Sequence, residues 1–167
     1  GAPGERRTFL DELTVALAPR FDAVLSGLER VLRQRNTLLK QAGGRLTGEV
    51  GLTLDVWDQK LTEVGEAIDA RRVEIAAALA PLVSEAYGRL AGLPVVVEVS
   101  HQSSWAGAAS LAEALAAARD EDVKRRVSTV GPHRDDVDLI LADLPARTQA
   151  SQGEQRSLAL ALRLGVH

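Results

Sequence analysis

A mostly helical α+β fold is what this chain predicts, and three observations carry the prediction. Aromatic residues make up only 3% of the sequence, so the core must be built from leucine, valine and alanine, which favours helix. Two long stretches repeat apolar residues at alternating steps of three and four, the rhythm of one helical face. A single β-branched run, Pro94-Val95-Val96-Val97-Glu98-Val99, has the length and composition of a strand.

The first helix is expected to open near Thr8, whose side chain can cap while Asp11 sits three residues on, and to close before Pro19. Its residues Leu10, Leu13 and Leu17 share a face. A second helix begins at Pro19, since proline suits a first turn, and places Phe21, Leu25, Leu28, Leu32, Arg35 and Leu39 on one stripe until Gly43-Gly44 stops it. After a polar link over 45–51, a third helix repeats the pattern through Leu54, Trp57, Leu61, Val64, Ile68, Arg71 and Ile75. Two narrow stripes joined by a short link predict an antiparallel helical hairpin. Pro81 is expected to break or kink the third helix, and Gly92 to end its continuation.

Beyond that point the period changes. A strand over 94–99 is followed by a loop over 101–107, then a helix over 110–118 that residues 120–126 continue or restart. Residues 137–141 read as a strand, 142–145 as a turn and 146–149 as a second strand. The last helix, 152–164, is apolar nearly all round and should be buried. The expected organisation is a long antiparallel helical arm over 1–92 and a small α/β segment over 93–167.

Length and charge bound the function. The 167 residues suffice for one sizeable domain or two small ones. A net charge of −3 gives no global pull toward nucleic acid, so any DNA contact needs a local basic face. With no cysteine, disulfides and thiolate metal sites are excluded, which fits a reducing compartment. No apolar run approaches the roughly 20 residues that span a bilayer, so no membrane partner is expected. The chain holds no methionine and begins at Gly1, as a piece excised from a longer protein would.

The densest motif opens the last helix: Ser151-Gln152-Gly153-Glu154-Gln155-Arg156. Ser151 and Glu154 form a capping box at the least. That box leaves Gly153 unexplained, because glycine in a helix costs about 1 kcal/mol relative to alanine. A backbone that must lie against a phosphate would explain it, since free amides at a helix start serve an acid or an anion equally.

Here the sequence resembles the RecF family of bacterial recombination mediators, which belong with the ABC-type and SMC ATPases. Residues 150–162, from Ala150-Ser151-Gln152-Gly153 onward, resemble that family's signature motif. Val130-Gly131-Pro132-His133-Arg134-Asp135-Asp136 resembles the family's block upstream of it. Gly1-Ala2-Pro3 with Arg6-Arg7-Thr8-Phe9-Leu10-Asp11 resembles a further family segment, as does Arg33-Gln34-Arg35-Asn36 with Leu38-Leu39-Lys40. The four matches occur in family order and cover the whole chain. The resemblance implies the second lobe of an ATPase head whose full-length protein is a weak ATPase using ATP and Mg²⁺. It also implies a role in DNA repair, recombination, replication and the SOS response in the nucleoid-containing cytoplasm.

By the same resemblance, Ser151, Gln152, Gly153, Glu154 and Gln155 would cap ATP held by another protomer in an ATP-dependent homodimer. The family recognises gapped DNA and loads recombinase together with RecO and RecR. What the chain lacks agrees with a half site. Lys40, Lys60 and Lys124 are its only lysines and none follows a glycine, so no phosphate-cradling P-loop is present. Leu139-Ile140-Leu141-Ala142-Asp143 imitates a magnesium-binding strand but precedes the signature and has Leu144 where a glutamate should follow, so it reads as a hairpin strand. The resemblance implies that a P-loop precedes Gly1 and the Mg²⁺ strand follows His167, and that the fragment alone neither binds cofactor nor hydrolyses ATP.

Three weaker patterns remain. His133-Arg134-Asp135 imitates a kinase catalytic loop, but the only asparagine is Asn36, so that assignment fails. A metal site from His133, Asp135 and Asp136 competes with a hydrogen-bonded, ion-paired corner, and the corner is preferred; no residue is assigned as catalytic or as a metal ligand. Arg30 and Arg33 with Arg72 are candidate contacts for DNA phosphates, against a solvated face with Arg35 and Arg71 pairing at the hairpin seam. The rival to a nucleotide role is a purely structural or protein-interaction helical module.

Overall fold

The computed structural model describes residues 1–141 and 144–145. The expected strand over 146–149, the helix over 152–164 and the whole signature motif from Ser151 to Gln155 lie outside the described residues. Within them run helices α1 (Pro3–Leu17), α2 (Phe21–Ala42) and α3 (Gly48–Ala91), strand β1 (Val97–Gln102), helix α4 (Leu111–Arg125), a 3₁₀ turn (Pro132–Arg134) and strands β2 (Asp136–Leu141) and β3 (Leu144–Pro145). The chain divides into two compact units that interleave along the sequence. One is Gly1–Ala16, Arg71–Gln102 and the chain from Asp136; the other is Leu17–Ala70 with Ser103–Asp135. The sequential boundary expected at 92 therefore falls inside the first unit.

In the second unit, α2 and the start of α3 form the antiparallel hairpin that the stripes predict. Gly27 faces Val64, Arg35 bonds Asp58, and Leu39 packs on Leu54, so partners rise along one helix as they fall along the other. Gly43 in the left-handed region (φ 62°) ends α2 with its amide on the Lys40 carbonyl, as a glycine cap should. The third-helix stripe is realised as a heptad: Leu54, Leu61 and Ile68 are all fully buried. Each such side chain contributes about 2–3 kcal/mol when removed from water. Trp57 is only half-buried, under the Lys60 ammonium at 5.5 Å, so it is not the core anchor its place in the stripe suggests. Trp105 is the buried one.

Helix α4 is a single helix rather than two. Ser110 caps it by accepting from the Glu113 amide at 3.1 Å, and Leu111, Leu115 and Val123 are buried. It ends at Arg126, which adopts the left-handed conformation (φ 60°) and closes its amide onto the Asp122 carbonyl. An L-residue there costs on the order of 1 kcal/mol that glycine would avoid.

In the first unit, α1 and residues from Arg71 onward on α3 pack with the sheet. Leu10 joins Ile75, Ala76, Leu79, Val83, Ala86 and Tyr87 of α3, Val97 and Val99 of β1 and Val137 of β2 in one core. The sheet is antiparallel in the order β1-β2-β3, with Val97 opposite Leu141 and Gln102 opposite Asp136. Ser84 ties helix to strand: it accepts from the Val97 amide at 2.8 Å and donates to the Val97 carbonyl at 3.0 Å. The magnesium-strand imitation at 139–141 is thus the central strand of this small sheet.

Three expectations are corrected, and of the break or kink expected at Pro81 the break does not occur. Helix α1 starts at Pro3 rather than Thr8, because Glu5 accepts from the Ala2 amide at 2.9 Å and so caps the earlier turn. Thr8 is mid-helix, its hydroxyl turned back onto the Gly4 carbonyl at 2.9 Å. Helix α3 runs through Pro81 unbroken. Both Pro81 and Ala77, whose carbonyl loses its ladder donor, are on the exposed face, where water can take the carbonyl, while Leu79 and Val83 hold both flanks in one core. Finally, β1 lies three places later than the valine run suggests, and Leu144–Pro145 pairs as a strand where a turn is expected.

Candidate functional site

Two described constellations concentrate polar chemistry. The first grows from Arg35, which occupies an apolar position of the α2 stripe yet is wholly inaccessible to solvent. A buried guanidinium is tolerable only when its charge is met, and here two of the three nitrogens also find partners while Nη2 has none among the described residues. Its Nε donates to Asp58 of α3 at 2.7 Å, and its Nη1 donates to Asp122 of α4 at 2.7 Å and to the Ser128 hydroxyl at 2.8 Å. Asp122 is equally buried and accepts from the Thr129 amide at 3.0 Å. Ser128 in turn donates its amide (2.8 Å) and hydroxyl (2.7 Å) to the side-chain oxygen Oδ1 of Asn36. Arg119 then bridges Asp58 at 2.8 Å and Asp55 at 2.6 Å. Burial works against the Arg119 charge, but its hydrogen bonds to Asp58 and Asp55 outweigh that and hold its pKa above the ordinary value. Charges alternate in sign through Asp122, Arg35, Asp58, Arg119 and Asp55, tying three helices and the loop after α4.

The second constellation is the Gly-Pro-His-Arg-Asp-Asp block, and each residue type has a local reason. Gly131 has φ 140°, a conformation reserved for glycine, and a Cβ there would lie 3.0 Å from the His133 ring. Pro132 opens the 3₁₀ turn. The His133 Nε2–H donates to the Ser128 carbonyl at 2.9 Å, which fixes that nitrogen as protonated. Arg134 reaches the same carbonyl at 3.3–3.4 Å. Asp135 is buried and accepts from the Ser104 amide at 2.7 Å, while the Ser104 hydroxyl exchanges bonds with the Gly131 amide and carbonyl at 3.0 and 2.9 Å. Asp136, in the first unit, pairs with Arg6 of α1 through both oxygens at 2.9 Å. His133 and Asp135 are thus hydrogen-bonded to protein groups, and Asp136 is ion-paired with Arg6.

The candidate DNA-contacting residues separate. Arg30 and Arg33 are exposed on α2. Arg72 is 2% exposed and clasps Asp11 through Nε at 2.9 Å and Nη2 at 2.8 Å, so it cannot join a surface stripe. Arg71 is exposed but paired with Glu74 at 3.0 Å. Sequence reasoning missed Asp58, Asp122 and Ser128 as partners of Arg35, and Arg119 as the second cation on Asp58. The signal available was the arginine itself, a charge at a position where the heptad demands an apolar residue.

A helical hairpin locked to a following helix in one unit, with a small helix-backed sheet in the other, is an arrangement this chain shares with solved recombination mediator proteins. Two solved structures, RecF-ATP and RecF-ATPrS in the RecFOR pathway, match 99% of the chain with a TM-score of 0.88 at 26% identity, the chain covering 46% of each. The DNA replication and repair protein RecF of Streptomyces avermitilis is 48% identical over 180 residues, 98% of this chain and 47% of that protein. RecF of Frankia alni is 43% identical over 182 residues, and RecF of Cutibacterium acnes 38% over 189, at 98% and 99% of this chain and 48% of each protein. Over nearly its whole length the chain is similar to RecF proteins. It spans about half the length of the curated relatives it matches. No family model matches it, and no helix among the described residues is long and apolar enough to cross a membrane.

Proposed function

We propose that this chain is the signature-bearing part of a DNA-repair ATPase, and that it closes over ATP carried by a second copy of the protein. Ser151 and the amides around Gly153 bind the γ-phosphate from the partner's side, and Gln152, Glu154 and Gln155 complete the turn. The sequence predicts a helix start here, and a helix start carries a partial positive charge that favours an anion. Each charge-assisted hydrogen bond to a phosphate oxygen is worth about 1–3 kcal/mol. ATP with its Mg²⁺ then holds the homodimer together, and hydrolysis releases the γ-phosphate and loosens it. Gapped DNA, RecO and RecR are the partners of the assembled protein, which works in the cytoplasm.

The observation that carries this reading is the match of nearly the whole chain to RecF proteins, two solved relatives of which are described with ATP or ATPrS. Sedimentation of the full-length protein tests it. A dimer is expected with ATP and a monomer with ADP or no nucleotide, and equal dimerisation with ADP would overturn the γ-phosphate bridge.

A further inference from the structure

We propose that Arg33, Lys40, Arg126 and Arg134 form a docking surface for the phosphate backbone of duplex DNA, centred on Ser128 in the second unit. The inference deepens the DNA role proposed above and rests on it only in taking the polyanion to be DNA. Ser128 joins the three segments that carry these cations. Its amide and hydroxyl bond Asn36 of α2 at 2.8 and 2.7 Å, and its carbonyl accepts from Arg134 at 3.3–3.4 Å. Arg33 and Lys40 lie one turn to either side of Asn36 and share its face of the helix. Arg126 is two residues before Ser128. All four side chains are exposed, and none forms an ion pair among the described residues.

Charge is segregated around this surface. Residues 123–134 hold Lys124, Arg125, Arg126 and Arg134 and no acid. Glu121 takes up the Arg125 charge, and Glu29 is the acid on the Arg33 face. The other strand of the hairpin is opposite in character: between Gly48 and Ala70, α3 carries Glu49, Asp55, Asp58, Glu63, Glu66 and Asp69 against Lys60 alone. A polyanion is drawn to α2 and the end of α4 and repelled from α3. This replaces the two-helix stripe that included Arg72.

The backbone supplies an independent sign. Arg126 is the one non-glycine residue with positive φ among the described residues, at a helix end where glycine or asparagine is the usual occupant. The chain holds a solvated cation in a strained conformation that a glycine would relieve, and such outliers point toward function. Arg134 contributes geometry: bonds from its Nε and Nη2 to the Ser128 carbonyl orient the guanidinium and leave Nη1 for a phosphate oxygen. Contacts of this kind position a duplex without reading its sequence.

The test uses the full-length protein with ATP and a short duplex of arbitrary sequence, its affinity followed across salt by fluorescence anisotropy. Removing one cation that neutralises a phosphate lowers the slope of log K against log salt by about 0.9. Arg126→Gly is expected to raise the melting temperature while lowering that slope by about 0.9, a pairing that a purely structural arginine would not give. Arg33→Gln/Arg126→Gln/Arg134→Gln is expected to lower it by about 2.7, and Glu63→Gln/Glu66→Gln on α3 not to lower it. ATP-induced dimerisation, measured alongside, is expected to survive in every variant. A wild-type slope in Arg126→Gly or in the triple variant would overturn the surface and leave the ATP reading standing. The expected slope changes in a protein that never dimerises with ATP would do the reverse, and a wild-type protein that does not bind duplex DNA overturns this surface together with the proposed DNA role.

Discussion

Replacing Arg35 with alanine is expected to cost about 3–5 kcal/mol of stability, because it strands the buried Asp122 carboxylate, which has no other cation at hand among the described residues. Asp122 is fully buried and Asp58 nearly so. Arg119 can still serve Asp58 at 2.8 Å, but no second basic side chain bonds Asp122 among the described residues. In a chain of this size the change corresponds to a fall in melting temperature on the order of 10 °C. Arg35→Lys should recover little of it, since one ammonium cannot present the fork that reaches Asp58, Asp122 and Ser128 together. A cycle with Asp122→Ala should be strongly non-additive, because removing both partners abolishes the orphaned charge. Thermal melts of wild type, the two single variants and the double variant check this. An Arg35→Ala chain melting within about 1 °C of wild type would show that the buried pairs carry little weight.

The second large effect is functional. In the full-length protein, Ser151→Arg is expected to leave ATP binding nearly intact and to abolish ATP-dependent dimerisation. On the proposed reading ATP is held by the other half of the site, so the ATP affinity of the monomer is expected not to depend on Ser151. The bulk of an arginine fills the space that the partner's γ-phosphate needs, and the hydroxyl donor is gone. Ser151→Ala removes the donor alone, and one charge-assisted bond of about 1–3 kcal/mol corresponds to a dimer weakened by roughly 10–100-fold. Nucleotide titration and sedimentation on the same samples separate the two effects. A Ser151→Arg protein that dimerises normally with ATP would remove the serine from the interface.

How much of this was legible in the sequence depends on the range of the forces involved. The hairpin was legible because burial of Leu54, Leu61 and Ile68 repeats every seven residues, so local periodicity reports a tertiary contact. The glycine stops at Gly43 and Gly92 were legible because left-handed φ values of 62° and 72° are a local requirement. Whether Pro81 breaks the helix was not legible, since the cost of a missing donor depends on whether water reaches Ala77 and on packing at Leu79 and Val83, neither of which is local. The interleaved units were illegible for the same reason: α1 reaches its partners in the chain from Asp136 onward, as Arg6 does with Asp136. Arg35 announced itself as a misplaced charge, but its partners Asp122 and Ser128 are distant in sequence and only the fold selects them. Arg72 and Arg33 looked alike in sequence, and burial alone separates the ion-paired arginine from the solvated one.

Whether the turn from Ser151 to Gln155 touches nucleotide belonging to another copy is tested most directly by photolabelling with an ATP analogue reactive at its γ-phosphate. The sample is a mixture of wild-type full-length protein and a tagged copy whose P-loop cannot bind ATP. Label is expected on the tagged copy, within the peptide that contains Ser151, and only when the wild-type copy is present. Label confined to the ATP-binding copy itself, or absent from that peptide in the mixture, would contradict capping in trans.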